Sequence, residues 1–496
     1  SPEDVHGMHA AQAILTAKGG MTSHAALVAR GWGKCCIVGC SAVDIDAARK
    51  VMTVAGQEIR EGDWITLNGT LGALYAGQLP LVFPDLEHNE EVKLLLTWVD
   101  KMRRLGVRTN ADTPKDAARG RAFGAAGIGL FRTEHMFYGE GSDQPLFLLR
   151  KMIASSTVEE RRRALDELYP FMKKDIKDTL EVMHGLPVTI RLLDPPLHEF
   201  VPHDAQRLAD LAASLGITLA DLEKRADGLR ESNPMMGHRG VRLGITYPEV
   251  SECQVRAILE ATAELLEAGV KVLPEIMIPV TSVDTELEDQ ARLVRRVHDE
   301  VAKKFGMKKV PHLYGTMIEI PRAALTADRI AEHTEFFSFG TNDLTQMTFG
   351  FSRDDIGGFL PYYLRDTDDT GAKKRPLLPA DPFGTIDRDG VGELVRVGIE
   401  RGRKTRPDLK VGICGEHGGD PASVWFCHEV GMNYVSCSPF RVPIARLAAA
   451  HAALADADAA AAAPKKAPAK KPAGKAPAAK PAPKKGAAKK PAGRKR

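Results

Sequence analysis

Eight short apolar segments between residues 106 and 440 constrain the fold more than any other feature of this chain. They are GVRTNAD (106–112), GIGLFRTE (127–134), VTIRLLD (188–194), LPEIMIP (273–279), GTMIEIP (315–321), FFSFGTND (336–343), VGICGEH (411–417) and YVSCSPF (434–440). Helix-forming stretches such as SECQVRAILEATAELLEAG and DQARLVRRVHDEVAKKFG separate most of them. Strands that alternate with helices must pair in parallel, because each crossover returns the chain to the same end of the sheet. The pattern therefore predicts an α/β protein with a (β/α)8 barrel over residues 106–455.

In such a barrel the C-terminal ends of the strands converge on one mouth. The eight segments finish on Asp112, Arg132, Arg191 and Asp194, Glu275, Glu319, Asn342 and Asp343, Cys414, and Ser438. All are expected to share that mouth. Arg132 and Arg191 suit the carboxylate and phosphate oxygens of a small acid, since a guanidinium presents a planar fork of donors; a pair of salt bridges within the barrel is the plainer alternative. Glu319 and Asp343 are hard oxygen donors suited to Mg2+ shared with substrate, or else partners for those arginines. Cys414, framed by glycine in VGICGEHGG, reads either as an inert small hydrophobe or as a thiol that protonates a carbanion or enolate. His238, Arg239 and Arg242 in NPMMGHRGVR either shape the mouth or mark a helix-entry turn. GEHGG resembles a glycine-rich phosphate loop weakly.

Residues 1–79 read as a smaller α/β unit, with a strand at CCIVG (35–39) and hairpins in VMTVAGQEIREGDWITLNGTLGALYAG. Its distinctive stretch is GGMTSHAALVARGWGKCC, residues 19–36. Thr22 or Ser23 can cap a helix that Gly31 ends, which leaves His24 unexplained. A protonated imidazole is disfavoured at a helix N-terminus, whereas a phosphorylated one is helped there by the dipole and the free N–H groups. Residues 80–105, with EHNEEVKLLLTWVDKMRRLG, are expected to be a linker helix.

Residues 464–496 contain 13 Lys and Arg and no acid, so removing them from the chain's net +3 leaves a body of −10. The segment 456–496 cannot bury enough apolar surface to fold and is expected to be a disordered Lys/Ala/Pro-rich tail. It reads as a solubilising extension or a non-specific tether to a polyanion. An acidic body without interleaved aromatic and basic residues argues against a dedicated nucleic-acid binder. No apolar run approaches the roughly 20 residues needed to span a membrane. Seven cysteines without zinc-like spacing suggest reduced thiols and a cytoplasmic setting. The opening SPEDVHG has no initiator Met and reads as the middle of a longer protein.

The stretches GGMTSHAALVARGWGKCC, GLFRTEHMF, VTIRLLDPPLHEF, ESNPMMGHRGVRLG, PEIMIP, GTMIEIPRAAL, FFSFGTNDLTQMT, GICGEHGGDP and VSCSPFRVPIARL closely resemble the phosphoenolpyruvate-utilising enzymes. The likeness runs in order to about residue 450. Met21, Ser23 and the following GKCC resemble the family's dikinase branch, which uses pyruvate and phosphate, more than its synthases or enzyme I of the sugar phosphotransferase system. The resemblance implies that His24 carries a phosphoryl group on a swivelling domain and that Arg132 and Arg191 hold phosphoenolpyruvate. Asn342 and the main chain of Gly340 and Thr341 would assist, Glu319 and Asp343 would ligate Mg2+, and Cys414 would protonate the pyruvate enolate. Thr22 matches a position phosphorylated for regulation in some members. The resemblance also implies a homodimer and a nucleotide-binding domain preceding residue 1. This chain is therefore expected to interconvert phosphoenolpyruvate and pyruvate, and to need that domain for the full reaction of ATP, phosphate and pyruvate to AMP, diphosphate and phosphoenolpyruvate. A synthase and a non-catalytic phosphocarrier are the alternatives.

Overall fold

A computed structural model describes residues 5–18, 25, 26, 29, 33–81, 89–138, 141–202, 204–368 and 370–462. Met21, Thr22, Ser23, His24 and the basic tail from residue 463 lie outside the described residues.

In the N-terminal part, β1 (Ala13–Leu15) pairs in parallel with β2 (Cys35–Ile37). Strands β3 (Val43–Asp46), β4 (Val51–Val54) and β5 (Gln57–Arg60) form an antiparallel meander. Its second turn is Ala55–Gly56, with φ of 48° and 79°, the left-handed pair that a two-residue hairpin requires. A further hairpin joins β6 (Ile65–Asn68) to β7 (Ala73–Ala76). Strand and hairpins match the sequence-based expectation. The helical residues Ala25, Ala26 and Ala29 lead into a turn in which the Lys34 N–H reaches the Ala29 carbonyl at 2.8 Å. Gly33 in that turn has φ +67°, a left-handed conformation that glycine adopts without the Cβ penalty.

Helix α1 (Glu90–Met102) starts where Asn89 accepts from the Val92 N–H and carries Glu90 and Glu91 in its first turn, both favourable at a helix start. Arg446 fastens it to the barrel, its Nη2 2.6 Å from Asp100 Oδ2 and its Nη1 2.8 Å from the Phe123 carbonyl.

The barrel strands are β8 (Gly106–Asn110), β9 (Ile128–Arg132), β10 (Pro187–Arg191), β11 (Leu273–Ile278), β12 (Leu313–Ile318), β13 (Phe336–Phe339), β14 (Lys410–Ile413) and β15 (Tyr434–Cys437). Each runs parallel to the next, and β15 pairs with β8 to close the ring. All eight lie within or overlap the segments expected from sequence. They are shorter than those segments because the polar ends turn away into loops and 3-10 turns such as Thr133–Phe137 and Glu416–Gly419. The surrounding helices are amphipathic. In Pro248–Glu267 the face carrying Ile258, Leu259 and Ala261 is fully buried, and burial of each large aliphatic side chain contributes about 1.5–3 kcal/mol.

One mouth assignment is corrected. Glu275 is the third of six residues in β11, with Thr189 and Leu313 as its register partners. Its carboxylate sits low in the barrel. It accepts from Arg108 Nη1 at 2.9 Å and Thr189 Oγ1 at 2.7 Å, and it pairs with Lys410, the first residue of β14. In LPEIMIP the acid precedes the apolar run's end, so it points inward near the N-terminal end of the barrel.

Candidate active site

The C-terminal strand ends hold a nearly continuous set of ion pairs. At the end of β9, Arg132 lies against Asp112, with Nη2 2.7 Å from Oδ2 and Nε 3.2 Å from Oδ1; His135 Nδ1 stands 3.1 Å from the same carboxylate. Arg191, closing β10, pairs with Glu134 and places Nη1 2.8 Å from Asp194 Oδ2. Arg239 binds Asp194 through Nε and Nη2 at 3.1 and 2.7 Å, and its Nη2 also reaches Asp343 Oδ2 at 3.0 Å. Burial works against ionising Asp112 and Asp194, but the facing guanidiniums outweigh it and hold both carboxyls below their ordinary range. Fixed carboxylates thus lock the arginine forks in place before any ligand arrives.

The plainer alternative for Arg132 and Arg191 is realised: both form salt bridges, and these stand at the mouth. Donor capacity remains, because Arg191 Nε is buried without a partner. Asp343 pairs with Arg239 rather than with Arg132 or Arg191.

Glu319 differs from its neighbours. It is 1% exposed and, among the described residues, makes no ion pair; its Oε1 accepts the Val280 N–H at 2.6 Å. Burial first, and then the negative charges of Asp343 and Asp194, push its carboxyl well above the ordinary range. A carboxyl crowded by other acids suits a cation. No cluster of three or more metal-binding side chains occurs among the described residues, so Glu319 and Asp343 would supply two ligands and leave the rest to substrate oxygens and water, as a hard divalent cation prefers.

Helix α2 (Thr341–Phe349) begins directly after Gly340. A Cβ on Gly340 would lie 2.6 Å from Glu319 Oε2 and from Met317 Sδ, so glycine leaves room for the Glu319 carboxylate. The main chain of Gly340, expected to assist at the site, is engaged within the fold: its N–H donates to the Ile318 carbonyl at 3.1 Å and its carbonyl accepts the Leu344 N–H at 3.0 Å. The N–H groups of Thr341 and Asn342 open a helix and have no intrahelical acceptor. Thr341 Oγ1 is 2.7 Å from Nδ1 of the buried His417, whose Nε2 lies 2.9 Å from the Pro382 carbonyl. Asn342 Oδ1 accepts from the Glu416 N–H at 3.2 Å. GEHGG therefore braces the mouth as a 3-10 turn.

Cys414 follows β14, 4% exposed, with its carbonyl taking Asn110 Nδ2 at 3.0 Å. The thiol packs with Leu130, Met277, Met317 and Phe336 in an apolar cluster apart from the main core. Burial pushes it up to about 11, so it stays protonated at neutral pH and can act as an acid. Ser438 opens the next turn with its hydroxyl buried and unpaired; it joins none of these ion pairs.

Residues 87–454 match the family described as PEP-utilising enzyme, PEP-binding domain, and residues 1–72 match PEP-utilising enzyme, mobile domain. The chain belongs to the PEP-utilising enzymes. Among curated members, pyruvate, phosphate dikinase of Clostridium symbiosum is 53% identical over 455 residues, which are 92% of this chain and 50% of the relative. Pyruvate, phosphate dikinase 2 of Zea mays is 54% identical over 452 residues, 91% of this chain and 50% of the relative. Chloroplastic pyruvate, phosphate dikinase 1 of Oryza sativa subsp. japonica is 53% identical over 456 residues, 92% of this chain and 47% of the relative. The chain spans about half the length of these curated relatives. Among the described residues no helix is long and apolar enough to cross a membrane.

Within this PEP-utilising site two arginines exceed what the sequence signalled. Arg239 bridges Asp194 and Asp343, a role that its glycine-bearing loop concealed. Arg353 lies eleven positions beyond Asn342. Its Nε and Nη2 are buried without partners, and burial pulls its guanidinium below the ordinary value against the pull of Glu416, Asp354 and Asp343. Nothing about a strand end marks it, because it arrives on the loop after α2.

Proposed function

We propose that this chain interconverts phosphoenolpyruvate and pyruvate through phosphorylation of His24, as the catalytic half of a pyruvate, phosphate dikinase. The observation that carries the reading is Cys414. A thiol kept protonated over an apolar floor, beside arginine forks and a pair of carboxylates, fits protonation of a three-carbon enolate and has no use in a mere phosphocarrier. Identity of 53% to the Clostridium symbiosum dikinase supports the same choice.

Arg132 and Arg191, with the open donors of Arg353 and the start of α2, hold the phosphate and carboxylate of phosphoenolpyruvate. Glu319 and Asp343 would hold Mg2+, which when bound would neutralise charge developing on the substrate oxygens. A nitrogen of His24 forms a bond to phosphorus as the bond from phosphorus to the bridging oxygen breaks, and the electron pair stays on the departing enolate. Cys414 gives its proton to the enolate carbon, forming the methyl group of pyruvate, and its thiolate regains a proton from solvent. The reverse sequence makes phosphoenolpyruvate.

In this reading residues 1–79 are the mobile domain, 80–105 the linker, 106–455 the barrel and 456–496 a tail that meets polyanions only non-specifically. The whole protein is a cytoplasmic homodimer. With a nucleotide-binding domain it converts ATP, phosphate and pyruvate to AMP, diphosphate and phosphoenolpyruvate. The test is intact mass after mixing the chain with phosphoenolpyruvate and Mg2+, with pyruvate assayed in parallel. An acid-labile phosphoryl adduct, stoichiometric with pyruvate and absent in His24→Ala, is expected. Pyruvate release without any adduct would sink the phosphohistidine route.

A further inference from the structure

The turn after the His24 segment touches the barrel at one aromatic ring. A Cβ placed on Gly33 would lie 2.3 Å from Cζ of Phe440 and 2.6 and 2.8 Å from its Cε atoms, so the glycine backbone packs directly against the face or edge of that ring. Phe440 is itself held on the barrel rim. The Arg119 guanidinium lies over it, 4.9 Å from the centroid, and the Phe123 ring is 5.8 Å away. Both neighbours come from the segment after β8.

The rim at this point connects to the mouth. Arg441, the next residue, donates through Nη1 to the Glu416 carbonyl at 3.1 Å, and the Glu416 N–H donates to Asn342. A path of adjoining groups thus runs from Gly33 through Phe440, Arg441 and Glu416 to Asn342 at the barrel mouth. None of its first three members is needed for enolate protonation.

We propose that Phe440 is a positioning residue: its ring is the seat on which the mobile domain registers when it carries His24 to the barrel, and Gly33 is the part of that domain that fits the seat. The proposal rests on the reading of His24 given above. Seating fixes the approach of the imidazole to phosphorus, and a misplacement of about 1 Å at such a step can cost on the order of 100-fold in rate. Gly33 is doubly constrained, by its left-handed φ and by the ring that leaves no space for a side chain. Gly56, with φ +79° and nothing within 4 Å of its Cβ position, shares only the first constraint and serves as the control.

The experiment uses the full chain and two readouts: single-turnover phosphorylation by phosphoenolpyruvate with Mg2+, and deuterium exchange at the methyl group of pyruvate, which needs the barrel but no mobile domain. Phe440→Ala is expected to slow phosphorylation at saturating phosphoenolpyruvate by about 10- to 100-fold, with methyl exchange unchanged. Phe440→Trp should recover part of the loss. Gly33→Ala should behave like Phe440→Ala, and Gly56→Ala like the parent. Phosphorylation at the parental rate in Phe440→Ala overturns the seat, and so does equal loss of both readouts, which would make Phe440 a structural residue of the barrel. A parent protein that exchanges the methyl protons but never acquires a phosphoryl group refutes the reading of His24 instead, and the seat falls with it.

Discussion

The barrel buries charge at both ends and finishes the two clusters differently. Near the N-terminal end, Arg108 pairs with Glu275 and lies 3.9 Å from the centroid of the Tyr434 ring, while Lys410 and Thr189 occupy the rest of the carboxylate. In that cluster every charged group faces an opposite charge, and the Tyr434 hydroxyl is the buried polar atom left over. At the mouth, among the described residues, Arg191 Nε and two nitrogens of Arg353 are buried without partners, and Glu319 is buried without an ion pair. Buried polar groups are ordinarily satisfied, and each orphan costs about 1–3 kcal/mol. The contrast teaches where to look for a ligand: charges that answer one another read as architecture, and buried guanidinium nitrogens with spare donors read as places for ligand oxygens.

The contrast can be broken most sharply at Cys414. Cys414→Ala should lower methyl exchange of pyruvate by about 10²- to 10⁴-fold, the usual worth of a positioned proton donor, while phosphate and carboxylate binding persist. Exchange should hold with rising pH until the thiol ionises near 11. Because the folded-state value lies above the ordinary 9.0, the folded state keeps its proton longer than the unfolded chain, and stability should fall as pH rises from about 9 to 11. An exchange rate in the variant equal to the parent's would remove Cys414 from the chemistry.

At the N-terminal end, Glu275→Gln should destabilise the protein by about 3–5 kcal/mol, since it strands the buried Arg108 guanidinium and removes the partner of the half-buried Lys410. The denaturation midpoint reads this, and methyl exchange per folded molecule should stay near the parental rate. A variant as stable as the parent would show that the lower cluster is not self-supporting. The smallest effect is expected at Arg353. Arg353→Met should reduce kcat/KM for phosphoenolpyruvate by about 10- to 100-fold through lost charged hydrogen bonds, at equal or slightly greater stability. A loss of stability with unchanged kinetics would reassign Arg353 to architecture.

Much of this was legible in the sequence. Eight apolar runs interrupted by helical stretches are a strong pattern, because strand and helix periods differ and parallel strands are buried on both faces. The placement of Arg132, Arg191, Glu319, Asp343 and Cys414 at or just beyond the C-terminal ends of the strands is legible for the same reason, since each is a polar group that follows an apolar run. Glu275 was misread because alternation along a strand tells which side faces the barrel interior but not how deep a residue sits. Arg239 and Arg353 are not placed by the sequence pattern, because loops bring them back to the mouth and no local period records where a loop returns. The main-chain N–H of Gly340 could not be apportioned without the register that gives it to Ile318.

Val280 carries a consequence of another kind. It is a β-branched residue with φ +60°, a conformation that costs an L-amino acid about 1–2 kcal/mol, and its N–H orients the Glu319 carboxylate. Glycine would relieve that strain and slacken the loop after β11. At position 280 backbone strain and the aim of the Glu319 carboxylate are therefore tied together, so that relieving the one loosens the other.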